Sequence, residues 1–172
     1  MKKLAILSHG KESGPNGKKL TMLKEVAEKH GYEAISLDYT QCNSSTERIA
    51  LLKEYIEKSN FDSLLLVGSS MGGYVSTVLA NDYDLSGLFL LCPALCMKDK
   101  EEYTVGEFSP KCQNIEIIHG CNDDVVPFDN SIQFGKKNRA VVNLIEDNHR
   151  LQDSHPFMKK RFEWFLSNLK LR

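Results

Sequence analysis

A chain of 172 residues is long enough for one domain with a substantial core and short for two. Its composition, 41% hydrophobic and 26% charged, is typical of a folded globular protein and argues against disorder. The net charge of −1, with acidic and basic residues interleaved, leaves no basic stripe for nucleic acid and no polybasic run for anionic lipid. We therefore expect one domain over residues 1–172 that binds neither nucleic acid nor membrane.

The N-terminus and the cysteines both predict a cytoplasmic location. Lys2 and Lys3 precede an apolar run, but this run ends after Leu7 and is too short for a signal peptide. No segment approaches the roughly 20 apolar residues that span a bilayer. The five cysteines are an odd number at irregular spacing, which favours reduced thiols over a disulfide framework.

Short apolar runs alternate with longer stretches of helical periodicity. The runs are continuously apolar, as is typical of strands buried on both faces, and cover residues 4–8, 34–37, 63–67, 87–91, 115–118 and 141–145. Four helices are predicted from apolar spacing at residues 20–27, 49–56, 75–79 and 157–169, the last with its face formed by Phe157, Arg161, Trp164, Phe165 and Leu169. This alternation predicts a three-layer α/β/α sandwich with a mainly parallel sheet, whose ligands bind at the carboxyl ends of the strands.

A Gly-x-Ser-x-Gly pattern follows the third predicted strand. In Gly68-Ser69-Ser70-Met71-Gly72 the central serine is Ser70. A nucleophile on a tight strand-to-helix turn has strained backbone angles, and glycines two positions away on either side let the neighbouring chain pass. The backbone N–H of Met71 then lies at a helix N-terminus, where it can stabilise an oxyanion.

Two glycine-rich turns also allow a nucleotide-binding interpretation. The dinucleotide pattern G-x-G-x-x-G would require glycine at position 70, which is a serine. A P-loop ending at Gly17 and Lys18 would require glycine at position 12 and serine or threonine at position 19, where the chain has Glu12 and Lys19. Both patterns therefore fail at a position that phosphate binding needs.

A serine nucleophile needs a base, and the chain has five histidines. His149 follows the last predicted strand in a polar segment, at the same end of the sheet as Ser70, and is the predicted base. The other histidines precede glycines at strand ends or lie at helix ends, where structural roles are the simpler interpretation; they are His9, His119, His30 and His155.

The third member of such a triad is a carboxylate that holds the histidine in one tautomer. Two adjacent candidates follow the fifth predicted strand, with Asp123 favoured and Asp124 a close rival. Asp147 is only two residues from His149, so it would need an awkward local turn to reach the far nitrogen of that ring.

With these residues in place, the chain resembles the α/β-hydrolase superfamily from its first strand to its last helix. The order Ser, Asp, His along the chain is that of this superfamily, and the resemblance is strongest to small bacterial esterase-like members without a cap domain. Four signatures carry it, each at a strand end: Ser8-His9-Gly10, Gly68-x-Ser70-x-Gly72, His119-Gly120-x-x-Asp123-x-x-Val126-Pro127 and Asn148-His149-Arg150.

The resemblance implies that Asp123 is the acid and that the backbone N–H of Lys11 is a second oxyanion donor beside that of Met71. It also implies a minimal six-stranded sheet, because the chain starts directly at the strand that ends in His-Gly, where relatives often carry two further strands. The cap insertion is reduced to about residues 93–111. Their charged part, 97–102, is either a small flap or a solvated loop.

These observations predict a serine hydrolase of a small carboxylic ester or thioester, with Ser70, Asp123 and His149 as catalytic residues and Met71 and Lys11 forming the oxyanion hole. No metal or organic cofactor is expected, and the predicted partner is a small-molecule acyl substrate. The alternative is a non-catalytic ligand-binding or interaction protein with this fold, since a fold does not by itself establish activity.

Overall fold

The computed structural model describes residues 1–97, 103 and 107–169. They contain all six predicted strands, all four predicted helices and one further helix. The strands are β1 (Lys3–Ser8), β2 (Tyr32–Leu37), β3 (Ser63–Ser69), β4 (Gly87–Leu91), β5 (Ile115–Gly120) and β6 (Val141–Ile145). The helices are α1 (Lys18–Lys29), α2 (Ser45–Lys58), α3 (Met71–Leu79), α4 (Phe128–Asn138) and α5 (His155–Ser167). Of the charged stretch at 97–102, residues 98–102 lie outside the described part of the chain.

The six strands form one parallel sheet in the order β2-β1-β3-β4-β5-β6. Helices α2, α3 and α4 contribute to the core on one face, and α1 and α5 contribute to the core on the other, so the predicted three-layer sandwich is confirmed. The chain moves outward from β1 to β2 and then returns to β3 on the opposite side. This reversal opens a crevice at the carboxyl ends of β1 and β3, where ligands bind in such sheets.

The two outer strands are less buried than their apolar sequences predict. Strands β3, β4 and β5 are buried at every residue, whereas in β6 Val141 is 50% and Leu144 42% exposed. The prediction of burial on both faces is therefore right for the central strands and wrong for β2 and β6. An edge strand has a neighbour on one side only, and the helices cover the middle of the sheet more completely than its rim.

Helix α5 buries only part of the predicted face. Phe165 is buried and Leu169 packs against the core, as predicted, whereas Phe157 and Trp164 are 38% and 52% exposed. The other buried positions of the helix are Met158, Phe162 and Leu166. Both stripes have helical spacing, so periodicity alone does not choose between them. The choice comes from the sheet, because the rings of Phe162 and Phe165 pack 4.7 and 5.2 Å from the ring of Phe89 on β4.

Helix α4 was not predicted. It buries only Ser131, Phe134 and Gly135, and its other large apolar residues, Phe128 and Ile132, are partly exposed. No helix among the described residues is long and apolar enough to cross a bilayer.

The turn between β3 and α3 depends on two glycines. A Cβ atom added to Gly72 would lie 2.1 Å from the carbonyl oxygen of Ser8, and one added to Gly68 would lie 2.4 Å from the carbonyl oxygen of Gly72. Real Cβ atoms do not approach backbone this closely, so strands β1 and β3 can hold helix α3 against them only with glycine at both positions.

We expect Gly72→Ala to lower the free energy of unfolding by about 3 kcal/mol, because the new methyl group would force strand and helix apart. Gly14→Ala is the matched control, since a Cβ there meets nothing within 4 Å. Urea unfolding followed by circular dichroism measures both variants. Equal stability of the two variants would contradict this account of the turn.

Candidate active site

Ser70 occupies a strained turn directly after β3. Its φ of 53° and ψ of −119° lie in a region that residues with a Cβ rarely adopt. Surrounding backbone holds it there: its N–H donates to the Leu91 carbonyl at 2.9 Å, and its carbonyl accepts from the N–H groups of Tyr74 at 3.1 Å and Ala94 at 3.0 Å. The turn presents the side chain at the carboxyl end of the sheet, as the Gly-x-Ser-x-Gly pattern predicts.

Ser70, His149 and Asp123 form a continuous hydrogen-bonded chain. The Oγ atom of Ser70 lies 2.9 Å from Nε2 of His149, and Nδ1 of that ring lies 2.7 Å from Oδ2 of Asp123. Because a carboxylate only accepts, Nδ1 carries the hydrogen and Nε2 is free to accept the hydroxyl hydrogen of Ser70. The fold therefore brings together three residues separated by up to 79 positions in the chain.

The carboxylate of Asp123 is surrounded by hydrogen-bond donors. Besides His149, Nε2 of His119 lies 3.0 Å from Oδ2, and the N–H groups of Val125 and Val126 each donate to Oδ1 at 2.8 Å. Burial alone would raise the pKa of this carboxyl, but the donors outweigh burial and hold the pKa well below its usual range. Asp123 is thus a fixed anion behind the imidazole.

His119 is a member of this site that the sequence analysis treated only as shaping a loop. Its Nε2 faces two acceptors, Asp123 and the carbonyl of Val126 at 3.1 Å, so it carries the hydrogen. Its Nδ1 then accepts from the hydroxyl of Ser131 at 2.8 Å. The signal in the sequence was the spacing of four between His119 and Asp123, which brings the two together only because the chain turns sharply after β5.

The other two acidic candidates have different roles. Asp124 is exposed at the mouth of the cleft, whereas the side chain of Asp123 is fully buried against His149. Asp147 is buried and accepts hydrogen bonds from the N–H of Asn148 at 2.7 Å and the hydroxyl of Ser154 at 2.6 Å. Asp147 therefore organises the loop that carries His149.

An open cleft of about 1190 Å³ surrounds Ser70 and His149. Most of the residues that line it have polar or charged side chains, yet its exposed wall is about equally polar and apolar, with Leu20, Tyr103 and Val125 among the apolar or aromatic contributors. Lys11 lies at its edge, directly after the turn at the end of β1.

Cys92, His119 and Asp123 are close enough to share a metal ion, with ligand atoms within 4.8 Å of one another. A metal would need a thiolate and free carboxylate lone pairs. Burial raises the pKa of the Cys92 thiol to about 12, and the oxygens of Asp123 already accept several hydrogen bonds. This chemistry fits a hydrogen-bonded cluster rather than a metal centre.

Comparison with known proteins places the chain in a family. The sequence profile of UPF0227, an uncharacterised protein family, matches residues 4–114. The chain belongs to UPF0227. No curated protein sequence matches it significantly.

Solved structures extend this UPF0227 assignment to a superfamily. A protein of the alpha/beta hydrolase superfamily from Xanthomonas campestris pv. campestris is 27% identical, with a TM-score of 0.83 over 98% of this chain and 100% of that one. Est1E from Butyrivibrio proteoclasticus is 17% identical, with a TM-score of 0.81 over 98% and 88% of the two chains. A Xanthomonas campestris α/β serine hydrolase without a lid is 14% identical, with a TM-score of 0.76 over 100% and 85%.

These likenesses confirm the predicted α/β-hydrolase fold with its all-parallel, six-stranded sheet. They support a hydrolase at the level of the superfamily.

The buried Asp123 carboxylate should make stability depend on pH. Because its folded pKa is depressed, it stabilises the fold above the unfolded pKa of about 3.9, and this contribution is lost as pH falls below that value. Asp123→Asn should therefore cost roughly 2 kcal/mol at neutral pH, and the difference from wild type should shrink below about pH 4.

Urea unfolding between pH 3 and 7 measures this difference, with the exposed Asp124→Asn as the control that should match wild type throughout. A difference for Asp123→Asn that stayed constant down to pH 3 would show that the carboxylate is not held ionised by its donors.

Proposed function

We propose that this chain is a serine hydrolase that cleaves a small carboxylic ester or thioester through an acyl-enzyme on Ser70. The observation that carries the proposal is the hydrogen-bonded chain from Ser70 Oγ through His149 to Asp123. A strained serine, an imidazole with its accepting nitrogen toward that serine, and a buried anion behind the ring are the parts that acyl transfer requires. A binding protein has no need for all three.

In the proposed reaction, Ser70 Oγ attacks the acyl carbon while His149 Nε2 takes the hydroxyl proton. The imidazolium is stabilised by Asp123, and it returns the proton to the departing alcohol or thiol as the bond from the acyl carbon breaks. Water then attacks the acyl-enzyme with His149 again as base, which releases the acid and restores Ser70. The N–H groups of Met71 and Lys11 stabilise the oxyanion in both steps. Each step uses only protein groups, substrate and water.

We propose one domain over residues 1–172 without a separate cap, and the open cleft around Ser70 and His149 then supports a short acyl group. We also propose that the protein acts in the cytoplasm, on a small molecule and without nucleic acid or membrane. All five cysteines lie among the described residues as thiols rather than disulfides, and Cys96 and Cys121 are exposed, as suits a reducing compartment.

A fluorophosphonate probe should modify Ser70 and leave Ser69 unlabelled. The reason is that Ser70 Oγ contacts the base, whereas Ser69 is buried as the last residue of β3. Mass spectrometric mapping of the labelled peptide gives the position, and Ser70→Ala should abolish labelling. Modification of Ser69, or no labelling of folded wild type, would overturn the assignment of the nucleophile.

An activated short ester such as 4-nitrophenyl acetate should be hydrolysed only while His149 and Asp123 are intact. Only a neutral imidazole can accept the Ser70 proton, and the carboxylate behind the ring stabilises the imidazolium that forms. His149→Ala should remove nearly all of the activity, and Asp123→Asn should lower kcat by about 10⁴-fold, because asparagine in place of the carboxylate holds the imidazole in the wrong tautomer.

The controls are His30→Ala, at the far end of α1, and Asp124→Asn, both of which should keep most of the activity. If Asp124→Asn were the inactive variant, the acid would be misassigned. If wild type hydrolysed no ester or thioester at any pH, a non-catalytic binding protein would be the better interpretation.

A further inference from the structure

The peptide between Gly10 and Lys11 is held by its carbonyl oxygen. This oxygen lies 2.7 Å from Nδ1 of His9, 3.3 Å from Nη1 of Arg48 and 3.4 Å from Oγ of Ser13. Three donors around one carbonyl leave the peptide plane little freedom to rotate.

A fixed carbonyl also fixes the N–H on the other side of the same bond. The described peptides are all trans, so the N–H of Lys11 points opposite to the Gly10 carbonyl. The carbonyl faces the protein interior, and the turn itself lies against the nucleophile: a Cβ atom added to Gly10 would lie 3.4 Å from Cβ of Ser70. The N–H of Lys11 is therefore turned away from the interior at a position adjacent to Ser70.

His9 can act only as a donor toward this carbonyl. Its Nε2 accepts the backbone N–H of Tyr39 at 3.0 Å, so the hydrogen of the neutral ring must be on Nδ1, which faces Gly10. Burial lowers the pKa of His9, which favours this neutral form. Protonation would turn Nε2 into a donor facing another donor.

Arg48 reaches the same turn from helix α2. Its side chain is only 3% exposed, and Nη1 donates to the carbonyl oxygens of both His9, at 2.9 Å, and Gly10. The guanidinium lies 5.2 Å from the ring centroid of Tyr39, whose hydroxyl is 2.8 Å from Oγ of Ser8. Burying a guanidinium is costly, and here much of its hydrogen bonding goes to the turn that precedes Lys11.

We propose that Arg48 is a positioning residue that, with His9, holds the Gly10–Lys11 peptide so that the N–H of Lys11 is aimed at the oxyanion formed at Ser70. This inference rests on the proposed function and extends it to a side chain 38 positions away from Gly10. An oxyanion donor is effective when its direction is set before the reaction, because no free energy is then spent on turning it during the reaction. The positive charge also polarises the peptide, which strengthens the N–H as a donor.

The test is Arg48→Met, assayed with the short ester that wild type hydrolyses. Loss of an oxyanion donor lowers kcat by about 10²–10³-fold, so a misdirected donor should cost roughly 10–100-fold in kcat with KM changed less than about threefold. A trifluoromethyl ketone, whose serine adduct carries the same oxyanion, should lose affinity by a factor similar to the loss in kcat/KM. Arg48→Lys, which keeps the charge, should give a kcat between those of wild type and Arg48→Met. It is assayed in place of Arg48→Met if that variant does not fold.

Arg161→Met is the matched control. Arg161 is a partly buried guanidinium, but it pairs with the buried Glu116 at 2.7 Å on β5, away from the turn. Its removal should lower thermal stability and leave kcat of the folded protein near that of wild type. The inference is overturned if Arg48→Met keeps the wild-type kcat, if it raises KM alone, or if it loses no more kcat than Arg161→Met.

Failure of the proposed function looks different in the same experiment. In that case wild type itself would hydrolyse no ester or thioester and would not react with a fluorophosphonate at Ser70. The proposed positioning role of Arg48 would then be rejected together with the proposed function. Wild-type turnover together with a fully active Arg48→Met would leave the serine hydrolase standing and remove only the positioning role.

Discussion

A buried carboxylate needs donors, and the donors around Asp123 come from three separate parts of the fold. His119 belongs to the end of β5, Val125 and Val126 belong to the turn before α4, and His149 belongs to the loop after β6. Each of these donors must be in place before the Asp123 carboxylate can be buried without a large free-energy cost of desolvation. Parallel pairing of β5 with β6 provides this, since it brings both strand ends to the same edge of the sheet.

The Ser70 side of the site depends on close backbone packing rather than on charge. The strained angles of Ser70 persist because hydrogen bonds to Leu91, Tyr74 and Ala94 fix both sides of the turn. Glycines at 68 and 72 allow β1, β3 and α3 to approach closely enough to make these bonds. Hydrogen-bond donors around a buried charge thus hold the Asp123 side of the site, and close backbone packing holds the Ser70 side. The 2.9 Å hydrogen bond between Ser70 and His149 joins the two sides.

Behind the turn at Gly10 lies a third arrangement, built from Ser8, His9, Tyr39 and Arg48. All four are buried, and their polar groups connect the ends of β1 and β2 with helix α2. Together with the donors around Asp123, these groups support the loops beside Ser70. A polar interior this close to a nucleophile fits a site whose parts are held in place before substrate arrives.

The sequence by itself determined the fold class and the order of the strands along the chain. It also singled out Ser70, His149 and the adjacent pair Asp123 and Asp124 as candidate site residues, because these depend on local patterns at strand ends. It did not determine which stripe of α5 is buried, since two stripes share the same spacing and only the aromatic contact with Phe89 decides between them. Helix α4 was not predicted because only three of its 11 residues, Phe128, Ile132 and Phe134, are large and apolar.

The roles of His119 and Arg48 were likewise decided only by tertiary structure. Their partners lie across a turn or on another element, and the direction of a hydrogen bond cannot be derived from the spacing of residues. The same holds for the choice of Asp123 over Asp124, because adjacent side chains diverge in the folded turn and only one of them faces the imidazole.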